Sequence, residues 1–187
     1  MLTAVRTFAA LPISPEAAQA LAGVRARWGR DLPMVRWVAP ANYHITLQFF
    51  GDVEQPVLAE LRSALGESLA GAAAFTVELA GLGAFPSPAA PRVLWAGCRQ
   101  GSRELADLAR RVAEAGASVG LSLQDRRFHP HVTLARLRRP QPEAWTRLAA
   151  AAEQVWGRWP AAQVNLYSSR LTPQGPIYKI IDRWPLS

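Results

Sequence analysis

Residues 44–47 read His-Ile-Thr-Leu, and residues 131–134 read His-Val-Thr-Leu. Each stretch lies in a run of alternating residues typical of a half-buried β-strand. Because strand side chains alternate between two faces, each histidine shares a face with the threonine two positions on, and the residues between them enter the core. Two of the three histidines in the chain begin such a pair, 87 positions apart. The sequence therefore predicts an internal repeat in which each strand presents an imidazole beside a hydroxyl.

The flanking sequence alternates between helix and strand patterns. Ser14-Pro15-Glu16 begins a helix, with the serine hydroxyl as its cap and a proline in the first turn. Further helices are expected from Pro56, from Ser102 as a second cap, and from about Pro142 to Val155. Strands are expected at 5–9, 35–50 with a break at Pro40, 75–82, 92–98, 131–137, 162–171 and 177–183. Hairpin-like strand pairs in the middle and at the end favour an α+β fold with antiparallel sheets over a doubly wound parallel sheet.

Local detail is also predicted from the pattern. Strict alternation places Phe49 on the same face as Ile45 and Leu47, and places Phe50 on the histidine face. The Pro- and Gly-rich stretch 83–91 is expected to be an exposed loop, and residues 125–127 a basic turn.

Composition narrows the function classes. Half of the residues are hydrophobic and 19% are charged, which is globular composition. The chain carries 21 basic and 14 acidic residues, a net charge of +7 that favours a polyanionic partner. All basic residues except Lys179 are arginine, which suits bidentate phosphate contacts, although the codon bias of a GC-rich genome explains the excess equally well.

The number of cysteines and the hydropathy of the chain indicate in which cellular compartment the protein is expected. Cys98 is the single cysteine, so a disulfide framework and a multi-cysteine zinc module are excluded. A small hydrophobic side chain is the expected role of Cys98, rather than a nucleophile. The chain shows neither a signal peptide nor a membrane span. We therefore expect a cytoplasmic protein.

The repeated pair of residue types suits chemistry at phosphorus. Imidazole titrates near neutrality, so one copy can take a proton from a nucleophile while the other gives one to a leaving group. Two threonine hydroxyls can donate to the charge that develops on the phosphate oxygens, without a metal ion. The alternative is that each histidine and threonine is only a structural strand residue, but the presence of both copies favours the functional interpretation.

Two longer stretches around the repeat resemble a known family. They are 36–51 (Arg-Trp-Val-Ala-Pro-Ala-Asn-Tyr-His-Ile-Thr-Leu-Gln-Phe-Phe-Gly) and 128–136 (Phe-His-Pro-His-Val-Thr-Leu-Ala-Arg), with weaker similarity at 6–12, 169–173 and 175–178. These stretches resemble the signature strands of the RNA 2',3'-cyclic phosphodiesterases, first called 2'-5' RNA ligases, in the two-histidine phosphoesterase superfamily. One departure is Phe50, where the family commonly has leucine. Both side chains are apolar, so this exchange does not affect the expected catalytic residues.

The resemblance implies one two-lobed domain over 1–187, with two antiparallel sheets, helices on their outer faces and a central cleft carrying both His-x-Thr strands. It implies metal-independent hydrolysis of an RNA 2',3'-cyclic phosphate to a 2'-phosphate. His44 would be the general acid for the leaving 3'-oxygen and His131 the general base for water. Thr46, Thr133 and Arg136 would bind the substrate phosphate. Reverse, ATP-independent ligation of a cyclic phosphate end to a 5'-hydroxyl is expected as a secondary activity.

The residues of the second motif allow two roles for Arg136 and two for His129. Strict alternation places Arg136 on the face opposite Thr133, whereas the family pattern makes it a phosphate ligand, and a bulge or strong twist would reconcile the two. His129 matches the family position before Pro130, where an orienting or merely exposed role competes with substrate contact.

The histidines and tryptophans also allow other roles. A metal site from His44, His129 and His131 with Cys98 or a carboxylate lacks any zinc-type ligand spacing, so we expect neither a metal nor a cofactor. Trp37 could stack on a base, but packing in the interior or between lobes is the expected role.

The expected partner is RNA with a 2',3'-cyclic phosphate end, bound by a monomer without a protein or membrane partner. Two rival functions are a two-histidine enzyme for a small cyclic phosphate, such as an ADP-ribose cyclic phosphate, and a non-catalytic RNA-binding relative.

Overall fold

The two strands that begin at the repeated histidines lie at the centre of a large antiparallel sheet. The computed structural model describes residues 4–32, 35–122, 128–151, 153–173 and 175–187. Within these ranges the strands are β1 (Ala4–Pro12), β2 (Val35–Trp37), β3 (His44–Glu54), β4 (Phe75–Phe85), β5 (Val93–Gln100), β6 (His131–Leu137), β7 (Val155–Ala161), β8 (Gln163–Thr172) and β9 (Gly175–Pro185). The α-helices in the same ranges are α1 (Pro15–Trp28), α2 (Gln55–Leu69), α3 (Ser102–Ser118) and α4 (Pro142–Leu148).

The sheet consists of two four-stranded halves. Its order is β7-β4-β5-β6-β3-β1-β8-β9, and β2 pairs with β6 beside this path. The halves meet where β3 pairs with β6, and this junction has a single residue pair, Ile45 with Val132. Both residues are fully buried. The α+β class with antiparallel strands is confirmed, and the expected two sheets are joined into one curved sheet by this narrow contact.

Helices cover the sheet on its outer side. The Oγ of Ser14 accepts a hydrogen bond from the backbone N–H of Ala17, which confirms the predicted cap of α1. Helix α1 packs against β7, and a Cβ on Gly157 would lie only 2.7 Å from the Cβ of Ala17. The absence of a side chain at Gly157 therefore permits this close packing. Helices α2 and α3 pack on each other and on β3 through rows of buried leucines.

The start of α3 differs from expectation. The N-cap is Gly101, with a φ of +84°, and the hydroxyl of Ser102 donates to the carbonyl of Cys98 instead of capping the helix. A β-strand leads directly into this helix, so the chain must reverse within one residue. Glycine adopts the left-handed conformation required for that turn without steric cost.

Strand β3 does not alternate strictly. Its register with β1 shifts at two places, opposite Thr7/Phe8 and opposite Ala9/Ala10. The second shift leaves Leu47 as an extra residue, so Phe49 is 56% exposed and Phe50 is buried. The prediction for these two residues was wrong, because a β-bulge reverses the alternation beyond it.

Two boundaries in the second half also differ. The fourth helix ends at Leu148, and the chain then forms β7, a strand that the sequence pattern missed. Strand β7 pairs with β4 and buries Trp156 and Trp159, so tertiary pairing decides its structure. Strand β4 continues to Phe85, which shortens the expected 83–91 loop. The predicted turn at 125–127 lies outside the described residues.

Candidate active site

The junction of the two halves brings the repeated motifs together. Ile45 pairs with Val132, and continuing this antiparallel register places His44 across from Thr133 and Thr46 across from His131. All four side chains are partly exposed, while the residues between them are buried. The two motifs therefore form a quasi-symmetric square on one face of the sheet, in which each histidine faces the threonine of the other strand.

The two imidazole rings are anchored in the same way. Nδ1 of His44 lies 2.7 Å from the carbonyl oxygen of Asn42, and Nδ1 of His131 lies 2.7 Å from that of His129. A carbonyl oxygen only accepts hydrogen bonds, so Nδ1 carries the hydrogen in both rings. Each Nε2 is consequently the nitrogen left to accept or donate a proton in the cleft.

Aromatic rings surround each histidine. Around His44, ring centroids lie 5.0 Å away for Phe8, 5.4 Å for Tyr178 and 6.3 Å for Tyr167. Around His131, the corresponding distances are 5.1 Å for Phe85, 6.1 Å for Trp95 and 6.2 Å for His129. The rings limit the orientations available to each imidazole and exclude water from its sides.

A glycine makes room for one of these rings. The Trp95 ring lies across Gly83, and any Cβ at that position would overlap the ring atoms. Trp95 also contacts His129 edge to face, at 4.8 Å between centroids. Gly83 therefore permits the position of the aromatic ring that supports the second histidine motif.

The surroundings hold both histidines in the neutral form. Burial lowers the pKa of His44 from 6.5 to about 4, against a raising effect of the hydrogen bond to Asn42 and with further lowering by the charges of His131 and Arg136. Burial likewise lowers the pKa of His131, and the charges of His129 and Arg136 add to the effect. In the free protein at neutral pH, both imidazoles are therefore unprotonated.

A bulge in β6 determines where Arg136 lies. Ala135 pairs with Leu94 and Thr133 pairs with Trp95, so Leu134 is an extra residue in β6. Leu134 and Ala135 are both buried, and the exposed Arg136 follows them. The electrostatic influence of Arg136 reaches His44, His131 and Tyr178. The bulge thus places Arg136 on the histidine side, where strict alternation would not.

Among the described residues, no side-chain or backbone group competes for the two threonine hydroxyls. Neither Thr46 nor Thr133 forms a side-chain hydrogen bond with the described part of the chain. Both hydroxyls can therefore donate to a ligand placed between the histidines.

Several other sequence predictions concern residues around the cleft. Trp37 packs against the hydrophobic core, as expected, rather than standing free for stacking. Cys98 also packs against the core, and burial raises the pKa of its thiol to about 12, so it stays protonated at neutral pH. His129 is exposed, and its carbonyl orients His131.

Among the residues that the structure describes, no group of three or more His, Cys, Asp or Glu side chains is placed to hold a metal ion. In those ranges no helix combines the length and the apolar character needed to cross a membrane.

Sequence reasoning missed the residues that surround the histidines from other strands. Phe8, Tyr167 and Tyr178 lie on β1, β8 and β9, and the side-by-side pairing of these strands next to β3 brings their rings to His44. Nothing in a single sequence links these positions. The weak similarity at 6–12, which contains Phe8, and at 175–178, which contains Tyr178, was the only signal for this group.

A curved antiparallel sheet with a duplicated His-x-Thr pair at its centre defines the class of two-histidine proteins. The profile of the 2'-5' RNA ligase superfamily matches residues 11–172, and the chain belongs to this family.

Relatives and solved structures agree with this assignment. The chain is 42% identical over 154 residues to the RNA 2',3'-cyclic phosphodiesterase of Aeropyrum pernix, covering 80% of this chain and 85% of that protein. It is 37% identical over 183 residues to the protein of the same name from Geobacillus stearothermophilus, covering 96% of this chain and 56% of the relative.

Among solved structures, E. coli LigT complexed with 3'-AMP superposes with a TM-score of 0.79 at 27% identity, covering 98% of this chain and 99% of LigT. TT0787 of Thermus thermophilus also gives 0.79, at 28% identity and 97% coverage of both chains.

Proposed function

We propose that this protein hydrolyses 2',3'-cyclic phosphate ends of RNA to 2'-phosphates without a metal ion. The observation that carries the proposal is the diagonal placement of His44 and His131 across the β3–β6 junction, each with Nδ1 held by a backbone carbonyl so that Nε2 is the nitrogen available for proton transfer. The activity named for the relatives and the net positive charge of the chain support RNA as the substrate.

In the proposed reaction, Nε2 of His131 takes a proton from water as the water oxygen attacks phosphorus. The bond between phosphorus and the 3'-oxygen breaks, and His44 gives its proton to that oxygen. The product carries a 2'-phosphate and a free 3'-hydroxyl. Both atoms and charges balance, because one histidine gains the proton that the other loses.

Three donors are placed for the charge that develops on the phosphate oxygens. The hydroxyls of Thr46 and Thr133 flank the histidines, and Arg136 adds a permanent positive charge on the same side. Donors already aimed at the transition state need no rearrangement when charge develops. We therefore assign these three residues to phosphate binding.

The low pKa of His44 is compatible with its role as the acid. An anionic phosphate beside the ring favours the imidazolium form and raises the pKa of His44 toward neutrality. Substrate binding therefore supplies the negative charge that favours protonation, and His44 binds a proton as the complex forms.

The reverse reaction follows from the same groups. Under microscopic reversibility, the pair can join a cyclic phosphate end to a 5'-hydroxyl without ATP. In water hydrolysis dominates, so we propose ligation only as a secondary activity. We also propose that the chain forms a single two-lobed domain, acts as a monomer and resides in the cytoplasm.

A defined oligonucleotide ending in a 2',3'-cyclic phosphate tests the proposal. We expect the wild type to release a 2'-phosphate end, and His44→Ala and His131→Ala each to lose most of kcat. A 3'-phosphate product would reverse the leaving oxygen, and normal turnover by either variant would remove the paired-histidine mechanism.

A further inference from the structure

Phe49 is an exposed aromatic side chain close to the paired histidines. Its side chain is 56% exposed, and it is the one aromatic among the large exposed hydrophobic residues of the described ranges. Covering such a ring with a flat apolar group of a ligand is favourable, because the apolar surface of both leaves water.

The bulge in β3 is what turns this ring outward. Without the extra residue at Leu47, strict alternation would put Phe49 on the buried face with Ile45. The bulged strand buries Phe50 instead, at 7% exposure. Bulges often re-aim a side chain beside a functional site, and here the exchange delivers an aromatic face to the histidine side.

The position of Phe49 relative to the reacting centre is set by shared ring contacts. Its ring centroid lies 5.5 Å from that of Phe8, which lies 5.0 Å from that of His44. Phe8 is 1% exposed and also stacks on Tyr167 at 5.1 Å. Phe8 therefore supports Phe49 from one side, two ring contacts away from His44, and leaves the rest of the Phe49 ring open.

The chemistry of the cleft identifies the occupant. A ligand whose phosphate lies between the histidines and Arg136 must present a second, flat and apolar group to reach Phe49. A nucleobase is such a group, and unpaired RNA bases stack on aromatic side chains with little regard to sequence.

Resting on the proposed function, we propose that Phe49 forms a nucleobase subsite. The base of the nucleotide that carries the cyclic phosphate stacks on its exposed face. Because stacking is made equally in the ground state and the transition state, the subsite acts on KM rather than on kcat.

The test compares substrates with and without a base. The substrates are adenosine 2',3'-cyclic phosphate and methyl ribofuranoside 2,3-cyclic phosphate, with the wild type, Phe49→Leu and Phe49→Tyr. We expect Phe49→Leu to raise KM for the adenosine compound about tenfold to a hundredfold. The KM for the base-free compound stays within about twofold, and Phe49→Tyr restores the wild-type preference.

Equal losses on both substrates, or no loss on the adenosine compound, would overturn the subsite. Val155→Ala is the matched control, because Val155 is 46% exposed and lies on β7, at the far edge of the other half. This variant should match the wild type on both substrates.

A binding measurement separates this inference from the proposed function. Titration calorimetry with adenosine 2'-monophosphate should show weaker binding to Phe49→Leu by the same factor as the rise in KM. A wild type that binds the nucleotide but hydrolyses neither cyclic phosphate would refute the proposed function alone. Equal binding by the variant and the wild type would refute the subsite even if hydrolysis is normal.

Discussion

Replacing His44 with glutamine should change how the stability of the folded protein depends on pH. The pKa of His44 is lowered by burial to about 4, against 6.5 for an unperturbed histidine. Between these two pH values the unfolded chain binds a proton that the folded chain does not bind. The free energy of unfolding therefore falls as the pH is lowered from 6.5 toward 4.

The size of this effect follows from the gap between the two pKa values. At ~1.4 kcal/mol per pH unit, the gap amounts to about 3 kcal/mol of stability. The part of the free energy of unfolding that depends on neutral His44 is fully present above pH 6.5 and is lost by about pH 4. Such a loss is a large share of the ~5–15 kcal/mol that separates folded from unfolded domains.

Urea denaturation at closely spaced pH values between 4 and 8 measures the effect. A glutamine side chain at this position cannot be protonated. As the pH falls from 7 to 4, the free energy of unfolding of the His44→Gln variant should therefore rise by about 3 kcal/mol relative to that of the wild type. Val155→Ala, which changes no titratable group, serves as the control and should follow the wild-type curve in parallel. A difference between His44→Gln and wild type that stays constant over this pH range would refute the burial of His44 as a neutral imidazole.

Four further outcomes are expected. Thr46→Ala and Thr133→Ala should each lower kcat about tenfold to a thousandfold in a cyclic phosphate assay, with little change in melting temperature. Arg136→Lys keeps the charge but loses the planar fork, so it should bind adenosine 2'-monophosphate more weakly than the wild type in titration calorimetry, and equal affinity would contradict phosphate contact by the guanidinium. Gly157→Ala should destabilise the protein by ~1–3 kcal/mol in urea, because the new methyl group collides with Ala17. Saturating EDTA should leave the hydrolysis rate unchanged, and loss of activity that added divalent metal restores would contradict the metal-free mechanism.

The sequence was most informative where one local rule decided the structure. The cap at Ser14 and the two His-x-Thr strands follow from short patterns, and the structure has them at the expected positions. The pairing that sets His44 opposite Thr133 depends on contacts between strands far apart in the chain, so no local pattern contains it.

The errors arose where one strand had to adjust to its neighbour. The bulges that expose Phe49 and return Arg136 to the histidine side come from the registers of β3 with β1 and of β6 with β5. Strand β7 comes after helix α4 and an alanine-rich 3-10 turn at Ala149–Ala151, and its pairing with β4 overrides the helical pattern near Val155. Propensity and alternation describe single segments, whereas bulges and pairings belong to two segments at once.

The strand order makes the surroundings of His44 depend on strands that are synthesised first and last. Strand β3 lies in a half whose remaining strands come from opposite ends of the chain: β1 from its beginning, β8 and β9 from its end. The rings of Tyr167 and Tyr178 reach His44 only when β8 and β9 have paired. A nascent chain that has emerged from the ribosome only as far as β6 already contains both histidines. It lacks the tyrosine rings of β8 and β9 that shield His44 from water. The aromatic surroundings of the first histidine are therefore completed only when the last two strands have been synthesised and paired.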